Sequence, residues 1–218
     1  MLALALDAST YTGSVALIAD GAVQAESVAA MRGEHEERLM PAISEMLSKQ
    51  SIALDQVSAV ACGAGPGSFT SLRIAASIAK GLCAARKIPL LVAPSPLLVV
   101  GAAEPKLAAG RYVVAMDAMR GDFFWHDIEI DSGGNIVAGD SSRTSRSGLE
   151  RHANEHGARI IGPSESPAMK PHARGFVRLI PAGIATQVDV TTWEPDYGRK
   201  AEAQVRWEAA HGRELGTA

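Results

Sequence analysis

An apolar run that ends in Asp-Ala occurs twice in this chain, and it constrains the fold more than any other feature. LALDAS spans residues 4–9 and VAMDAM spans residues 114–119. In each copy a turn comes next, then a second apolar strand, then a glycine-bearing turn and a third strand. After the first copy these are GSVALIADG and AVQAESVAA, where Asp20-Gly21 is a hairpin signal. After the second copy they are GDFFWHDIEI and NIVAG, joined through Gly133-Gly134. The matching order of strands and turns favours duplication of one β-meander unit over chance recurrence. Asp7 and Asp117 then occupy equivalent positions.

Helices and parallel strands complete the unit after the first meander. EHEERLMPAISEMLSKQ, residues 34–50, reads as a helix with Leu39, Ile43, Met46 and Leu47 on one face. Its glutamates crowd the expected first turns, where the macrodipole favours them. Pro41 removes one backbone donor and predicts a kink or a late helix start. VSAVACGAG is a buried strand, and a helix from Ser68 to about Arg86-Lys87 comes next. IPLLVA is a strand, and SPLLVVGAAE is a helix. The order over the first hundred residues is β-β-β-α-β-α-β-α. The second copy is poorer: SGLERHANEHGARIIGP gives a helix and a strand, SESPAMKPHARGF reads as loop, and RLIPAGIATQVDV is ambiguous. Residues 200–213 have helical composition, with a weak apolar side at Ala203, Trp207 and Ala210.

Two such lobes side by side form the architecture of actin, hexokinase and Hsp70. The expected fold class is therefore α/β and two-lobed, an actin/Hsp70-like duplication of a ribonuclease H-like β-β-β-α-β-α unit with a degenerate second lobe. The expected lobes are residues 1–108, carrying the helices of interest, and residues 109–218, smaller and divergent.

Composition excludes other classes. The 218 residues suit one or two domains with a sizeable core, and a net charge of −3 makes no trap for nucleic acid. The arginines between Arg143 and Arg178 are interspersed with Glu150, Glu155 and Glu165, which fits a solvated mixed face. MLALALDAST lacks a basic start and is broken by Asp7, so it reads as a strand and not a secretory signal. No apolar run approaches the roughly 20 residues of a membrane span, and the expected location is the cytoplasm. Cys62 and Cys83 lack the spacing of a zinc or redox pair and read as buried free thiols.

CGAGPGSFTSLRIAASIAKGL, residues 62–82, poses a sharper question, because its glycines suggest a phosphate loop. A P-loop starting at Gly63 would need glycine at Ser68, and one starting at Gly65 would need it at Thr70. The dinucleotide fingerprint fails at Ser68 as well. Pro66 has no N–H to offer an anion. The structural reading is a tight turn that launches a helix, with Ser68 or Thr70 as its cap. Ser71, Ala75, Ala79 and Cys83 form a stripe of small side chains, and Ile74, Ile78 and Leu82 a stripe of large ones. So little polar face requires burial on more than one side. The pattern leaves open whether the chain's own sheet or a second subunit supplies the second surface.

The segment GAGPGSFTSLRIAASIAKGL resembles the signature of the bacterial TsaB family, also called YeaZ. HEERLMPAI at His35, DAST at Asp7, MDAMRGDFF at Met116 and EPDYGRKAE at Glu194 are similar to further elements of that family. Ser71, where a glycine is usual, Met119, where an arginine is common, and the stretch 132–188 depart from it. The resemblance implies a subunit for threonylcarbamoyladenosine modification of tRNA, beside the anticodon. It is implied to be non-catalytic and to stabilise a catalytic paralogue, TsaD. TsaD carries a His-x-x-x-His pair after the strand that comes after this helix. Laying Ile88-Pro89-Leu90 on that strand puts Ser95 and Val99 at the histidine positions, and neither is an imidazole ligand.

The implied partners are TsaD, the small ATPase TsaE in a ternary complex with ATP, a second copy of the chain when TsaD is missing, and tRNA through the complex. No cofactor is implied for this subunit; ATP or ADP and metal belong to the partners. The implied interface takes His35, Arg38, Leu39, Ile43 and Leu47 from the first helix. From the second it takes Phe69, Leu72, Arg73 and Ala75, and further along Ala76, Ala79, Lys80 and Cys83. That resolves the open alternative towards an intersubunit contact at the small stripe. Asp7, Ser9, Thr10 and Asp117 are expected as vestiges of phosphate- or metal-holding turns, with no resident metal. The alternative reading is an ATP-dependent phosphotransferase of the sugar-kinase architecture. There Asp7 and Asp117 would hold Mg²⁺, and Gly13 and Gly121 would let the turns approach phosphates. The lack of a convincing adenosine-binding Gly-Gly segment in the second half speaks against it, since SGGN at Ser132 sits in a hairpin.

Overall fold

In the computed structural model, residues 1–31, 38–198, 207 and 210–212 are described. The first meander forms as expected: β1 (Leu2–Asp7), β2 (Thr12–Ala19) and β3 (Ala22–Ala30) pair antiparallel. Asp20 and Gly21 both take positive φ, the geometry that a two-residue hairpin demands. Helix α1 (Leu39–Lys49) begins late. Pro41 therefore lies in its first turn, where a missing N–H costs nothing. No acidic residue sits in that turn, so the expected glutamate–dipole contact is absent from the described helix. Glu34, Glu36 and Glu37 lie outside the described residues. Ala42, Ile43, Met46 and Leu47 are buried under the sheet. At about 1.5–3 kcal/mol for each large apolar side chain, that face supplies the driving force for docking the helix.

Strand β4 (Ala59–Gly63) runs parallel to β1, and β5 (Leu90–Ala93) runs parallel to β4. Helix α2 (Phe69–Arg86) is the crossover between them, and α3 (Ser95–Gly101) comes after β5. The second unit repeats the order: β6 (Gly110–Asp117), β7 (Asp122–Ile130) and β8 (Ile136–Ser145) form a meander, and α4 (Arg146–Glu155) and β9 (Arg159–Ile161) come next. The second sheet has the order β8-β7-β6-β9, which matches β3-β2-β1-β4 of the first. The duplication read from the two Asp-Ala runs is thus present in the strand order, and among the described residues the second sheet has no counterpart of β5.

The segment that is ambiguous in sequence returns to the first lobe. A 3-10 turn (Ala173–Gly175) and the short α5 (Phe176–Leu179) pack on α3, and β10 (Thr186–Val188) joins the first sheet at β5, antiparallel. The second sheet begins at Gly110, but the first sheet also draws β10 from the second half of the chain. All seven residues of α3 are buried between the two sheets. That explains why SPLLVVG has no polar face: it is interior on every side. One core cluster joins Ala3, Ala5, Leu97 and Val100 to Val114, Met116 and Phe176, across both lobes.

Candidate functional site

The two Asp-Ala turns face one cleft of about 380 Å³. Ser9, Thr10 and Tyr11 line one wall, Met116–Met119 and Phe124 the other, and Gly67–Thr70 at the start of α2 form the floor. Tyr11 Oη donates to Met119 Sδ at 3.8 Å across the mouth. Ser9, Thr10 and Asp117 therefore line the cleft. Asp7 does not. It is fully buried behind the wall, where its carboxylate accepts from Ser9 N, Ser9 Oγ and Ser95 Oγ at 3.2, 2.9 and 2.7 Å. Burial pushes its pKa up to about 6, partly opposed by the Ser95 and Ser9 hydrogen bonds. An aspartate closed in this way cannot meet a cation in the cleft, so its expected metal-holding role is corrected.

Ser95 is the centre of this buried network. It donates to Asp7 and accepts from Gly65 N at 3.0 Å, while its own N–H donates to Gly65 O at 2.8 Å. The residue laid on the first histidine position is thus a structural hydroxyl, and Val99 is packed in the inter-lobe core. Among the described residues no group of three or more His, Cys, Asp or Glu side chains is placed to hold a metal ion.

The glycine turn is now explicable. A Cβ at Gly63 would lie 2.0 Å from Asp7 Oδ1, and one at Gly67 would lie 2.1 Å from Ser9 O. Ser68 N donates to Ser9 O at 2.8 Å, so the chain's own carbonyl sits where an anion would. Ser68 occupies the N-cap position, but its hydroxyl pairs with Ser71 Oγ at 3.0 Å and makes no capping bond to the backbone. The expected serine cap is therefore not formed; the Ser9 carbonyl takes the N–H of Ser68 itself. No lysine or arginine lines the cleft among the described residues, so a polyphosphate there would meet one carboxylate, Asp117, and no cation. Gly13 is packed on Met31 and Leu39 inside the first lobe, not against the cleft. Gly121 stands in the β6–β7 turn with φ +84°. The phosphotransferase reading loses both Asp7 and Gly13 on these grounds.

The residues expected at a partner interface divide sharply. Leu39, Ile43, Leu47, Leu72, Ala76 and the stripe Ala75, Ala79 and Cys83 are buried by the chain itself. The small stripe lets α2 approach β4 and β1 closely, which is why it reads as a groove for a helix. The expectation that it receives a second subunit is corrected: its neighbour is the chain's own sheet. Burial raises the Cys83 thiol to about 11 and the Cys62 thiol further, as inert interior thiols require. Arg38 is exposed at the start of α1, and His35 lies outside the described residues.

Phe69, Arg73 and Lys80 remain outside the core. With Thr70, Ile74, Ser77 and Ile78, the first two form a shallow groove along the outer side of α2. The guanidinium of Arg73 stands 5.6 Å from the Phe69 ring centroid. Lys80 is tied to the chain itself, donating at 2.8 Å to Trp193 O and to Glu194 Oε1. Thus a segment near the C-terminus, Trp193–Gly198, lies against α2. Its Asp196 N donates to Ala64 O at 2.7 Å, and Tyr197 packs on Phe69 with ring centroids 4.5 Å apart. The sequence offers only a motif match for this segment and no sign of where it lies.

Taken together, a duplicated β-β-β-α-β-α unit, an inter-lobe cleft and a buried helix between the sheets define a two-lobed protein of the actin-like class. The family model described as TsaD, tRNA N6-adenosine threonylcarbamoyltransferase, matches residues 24–156. The chain belongs to this family, within its TsaB (YeaZ) branch. It is 35% identical over 134 residues to the tRNA threonylcarbamoyladenosine biosynthesis protein TsaB of Escherichia coli, covering 62% of this chain and 58% of that protein. The TsaB protein of Haemophilus influenzae is 36% identical over 125 residues, 57% of this chain and 52% of that one. The chain thus spans just over half the length of these curated relatives. The solved structure of YeaZ from Pseudomonas aeruginosa superposes with a TM-score of 0.72 at 25% identity, covering 90% of this chain and 99% of that one.

Proposed function

We propose that this chain is a non-catalytic scaffold of tRNA threonylcarbamoyladenosine biosynthesis, which binds and stabilises the catalytic subunit TsaD. The observation that carries the reading is the outer face of α2. It is a semi-apolar groove with one cation, Arg73, that makes no ion pair among the described residues. Such a face suits a partner element that is apolar with a carboxylate set to meet Arg73. Ser95 and Val99, at the positions of the paralogue's histidines, are committed to the interior. This supports assigning the transfer chemistry to TsaD. The small ATPase TsaE completes the assembly in this reading, and ATP and metal belong to those partners. A second copy of the chain uses the same face when TsaD is missing. The tRNA is reached through the complex, in the cytoplasm; among the described residues no helix is long and apolar enough to cross a membrane.

The experiment is copurification of the chain with TsaD from the same organism, and then a tRNA modification assay with and without the chain. Ser77→Arg places a bulky cation in the middle of the groove, at an exposed position. It is expected to leave the thermal midpoint close to wild type, within about 0.5 kcal/mol of stability, and to abolish copurification. Retained binding and full modification by this variant would remove the assignment.

A further inference from the structure

The cleft between the lobes is unsuited to phosphate, but its lining is selective in the opposite sense. Its volume of about 380 Å³ falls within the range of small-molecule sites, roughly 300–1,000 Å³. A hydroxyl has one proton to give, and along the first wall each proton is already given. Ser9 Oγ donates to Asp7 Oδ2 at 2.9 Å, Thr10 Oγ1 to Thr12 O at 3.0 Å, and Tyr11 Oη to Met119 Sδ at 3.8 Å. The N–H groups of Ser68 and Met119 are spent as well, on Ser9 O at 2.8 Å and on Asp117 Oδ1 at 2.7 Å. The hydroxyls keep only lone pairs to offer. The cleft is therefore poor in donors and rich in acceptors.

Asp117 is the one charged side chain that lines the cleft among the described residues; Arg120, in the same turn, does not line it. Asp117 Oδ1 closes the turn onto Met119 N, and Oδ2 makes no hydrogen bond or ion pair among the described residues. The rest of that wall is soft and apolar, with the Met119 thioether and the Phe124 ring. Such surfaces attract a polarisable or cationic body.

We propose that the inter-lobe cleft is a binding site for a small organic cation, an ammonium carried on an apolar or aromatic body. The ammonium brings three donors to a surface of acceptors and sets its charge on Asp117 Oδ2. The body lies on Met119 and Phe124. An anion of the same size meets a carboxylate and few donors, and a neutral alcohol gives up the charge contact. The inference stands apart from the α2 docking reading, because no partner subunit takes part in it.

The test titrates the full chain, near neutral pH and at low salt, with 2-phenylethylammonium, 2-phenylethanol and phenylacetate, followed by amide chemical shifts. The ammonium is expected to bind saturably and to shift the amides of residues 9–11, 67–70 and 117–119. Its affinity should exceed that of the alcohol about three- to fivefold, with phenylacetate the weakest. Asp117→Asn retains an oxygen for Met119 N at an exposed position. It should melt like wild type, lower the affinity for the ammonium to that for the alcohol, and leave the alcohol unchanged. No saturable ammonium binding up to about 10 mM overturns the proposal. Equal affinity for the three probes does so too, as does an ammonium preference that survives Asp117→Asn, or shifts confined to another face. Should Asp117→Asn melt well below wild type, salt replaces it. Sodium chloride at about 0.5 M should then remove the advantage of the ammonium over the alcohol, and an advantage that persists overturns the proposal.

Discussion

Asp7 is a carboxyl held out of water at the end of β1, and its pKa of about 6 has a thermodynamic consequence. The folded value lies above the unfolded one, so the folded state binds the proton more tightly. Its contribution to stability is complete below about pH 4 and is lost as pH rises through 6. The shift of about two units corresponds to about 3 kcal/mol. Replacing the carboxyl by an amide removes the charging step. Urea midpoints of wild type minus Asp7→Asn should therefore fall between pH 4.5 and pH 7.5. A difference independent of pH would mean that Asp7 does not titrate in that window. His126 and His172 also have folded values lowered by burial, which act in the opposite direction as pH falls. Subtracting the two proteins cancels them. The sequence marks Asp7 as special, through its repetition at Asp117. It does not tell a cleft ligand from a buried keystone, because the distinction depends on Ser95, 88 residues away.

At the scale of the element, α2 shows where a periodicity runs out of information. The stripe Ser71, Ala75, Ala79 and Cys83 is plain in the sequence, and so is the need to bury it. Small residues allow close approach to any flat surface, whether a partner helix or the chain's own sheet. The structure places β4 and β1 there. Ala79→Glu would thus bury an unpaired carboxylate in the first core, at a cost of about 3–5 kcal/mol. The expected outcome is a large fall in thermal midpoint, or insoluble protein, before any question of partner binding arises. A soluble variant with an unchanged melt would contradict the burial of that stripe. The large stripe Ile74, Ile78 and Leu82 is only half-buried, and Ile74 and Ile78 line the outer groove. A ranking by hydrophobicity alone assigns these two sides the wrong way round.

Over the whole molecule, the lobes are joined through α3 and the chain that returns after β9. Arg178 donates from Nη1 to Val100 O and from Nη2 to Gly134 O, and Arg174 Nε donates to Ala102 O, so the end of α3 is capped from the second half. Ser14 Oγ accepts from Ala173 N at 2.9 Å and ties the same turn to the first sheet. Gly101 meets Gly175 backbone to backbone: a Cβ at 101 would stand 2.7 Å from Gly175 O. Gly101→Ala should wedge the turn from α3 and cost about 1–3 kcal/mol. The check is a lower denaturant midpoint with reduced protection of the 173–179 amides in hydrogen exchange. Wild-type protection there would show that the contact yields without cost.

Local rules carry the sequence a long way. Strand alternation, the Asp20-Gly21 and Gly133-Gly134 hairpins and the placement of Pro41 depend on neighbours within a few residues, and they locate both meanders and α1. Spacing also disposes of the phosphate-loop readings of Gly63–Gly67, since those motifs are counts along the chain. Relations between distant segments required the tertiary structure. These include Ser95 on Asp7, β10 on β5, and Trp193–Gly198 across the glycine turn. The glycines at 63, 65 and 67 look alike in sequence because each simply lacks a side chain. Asp7, Asp196 and Ser9, the groups that fill those three spaces, come from both ends of the chain, and only folding brings them together.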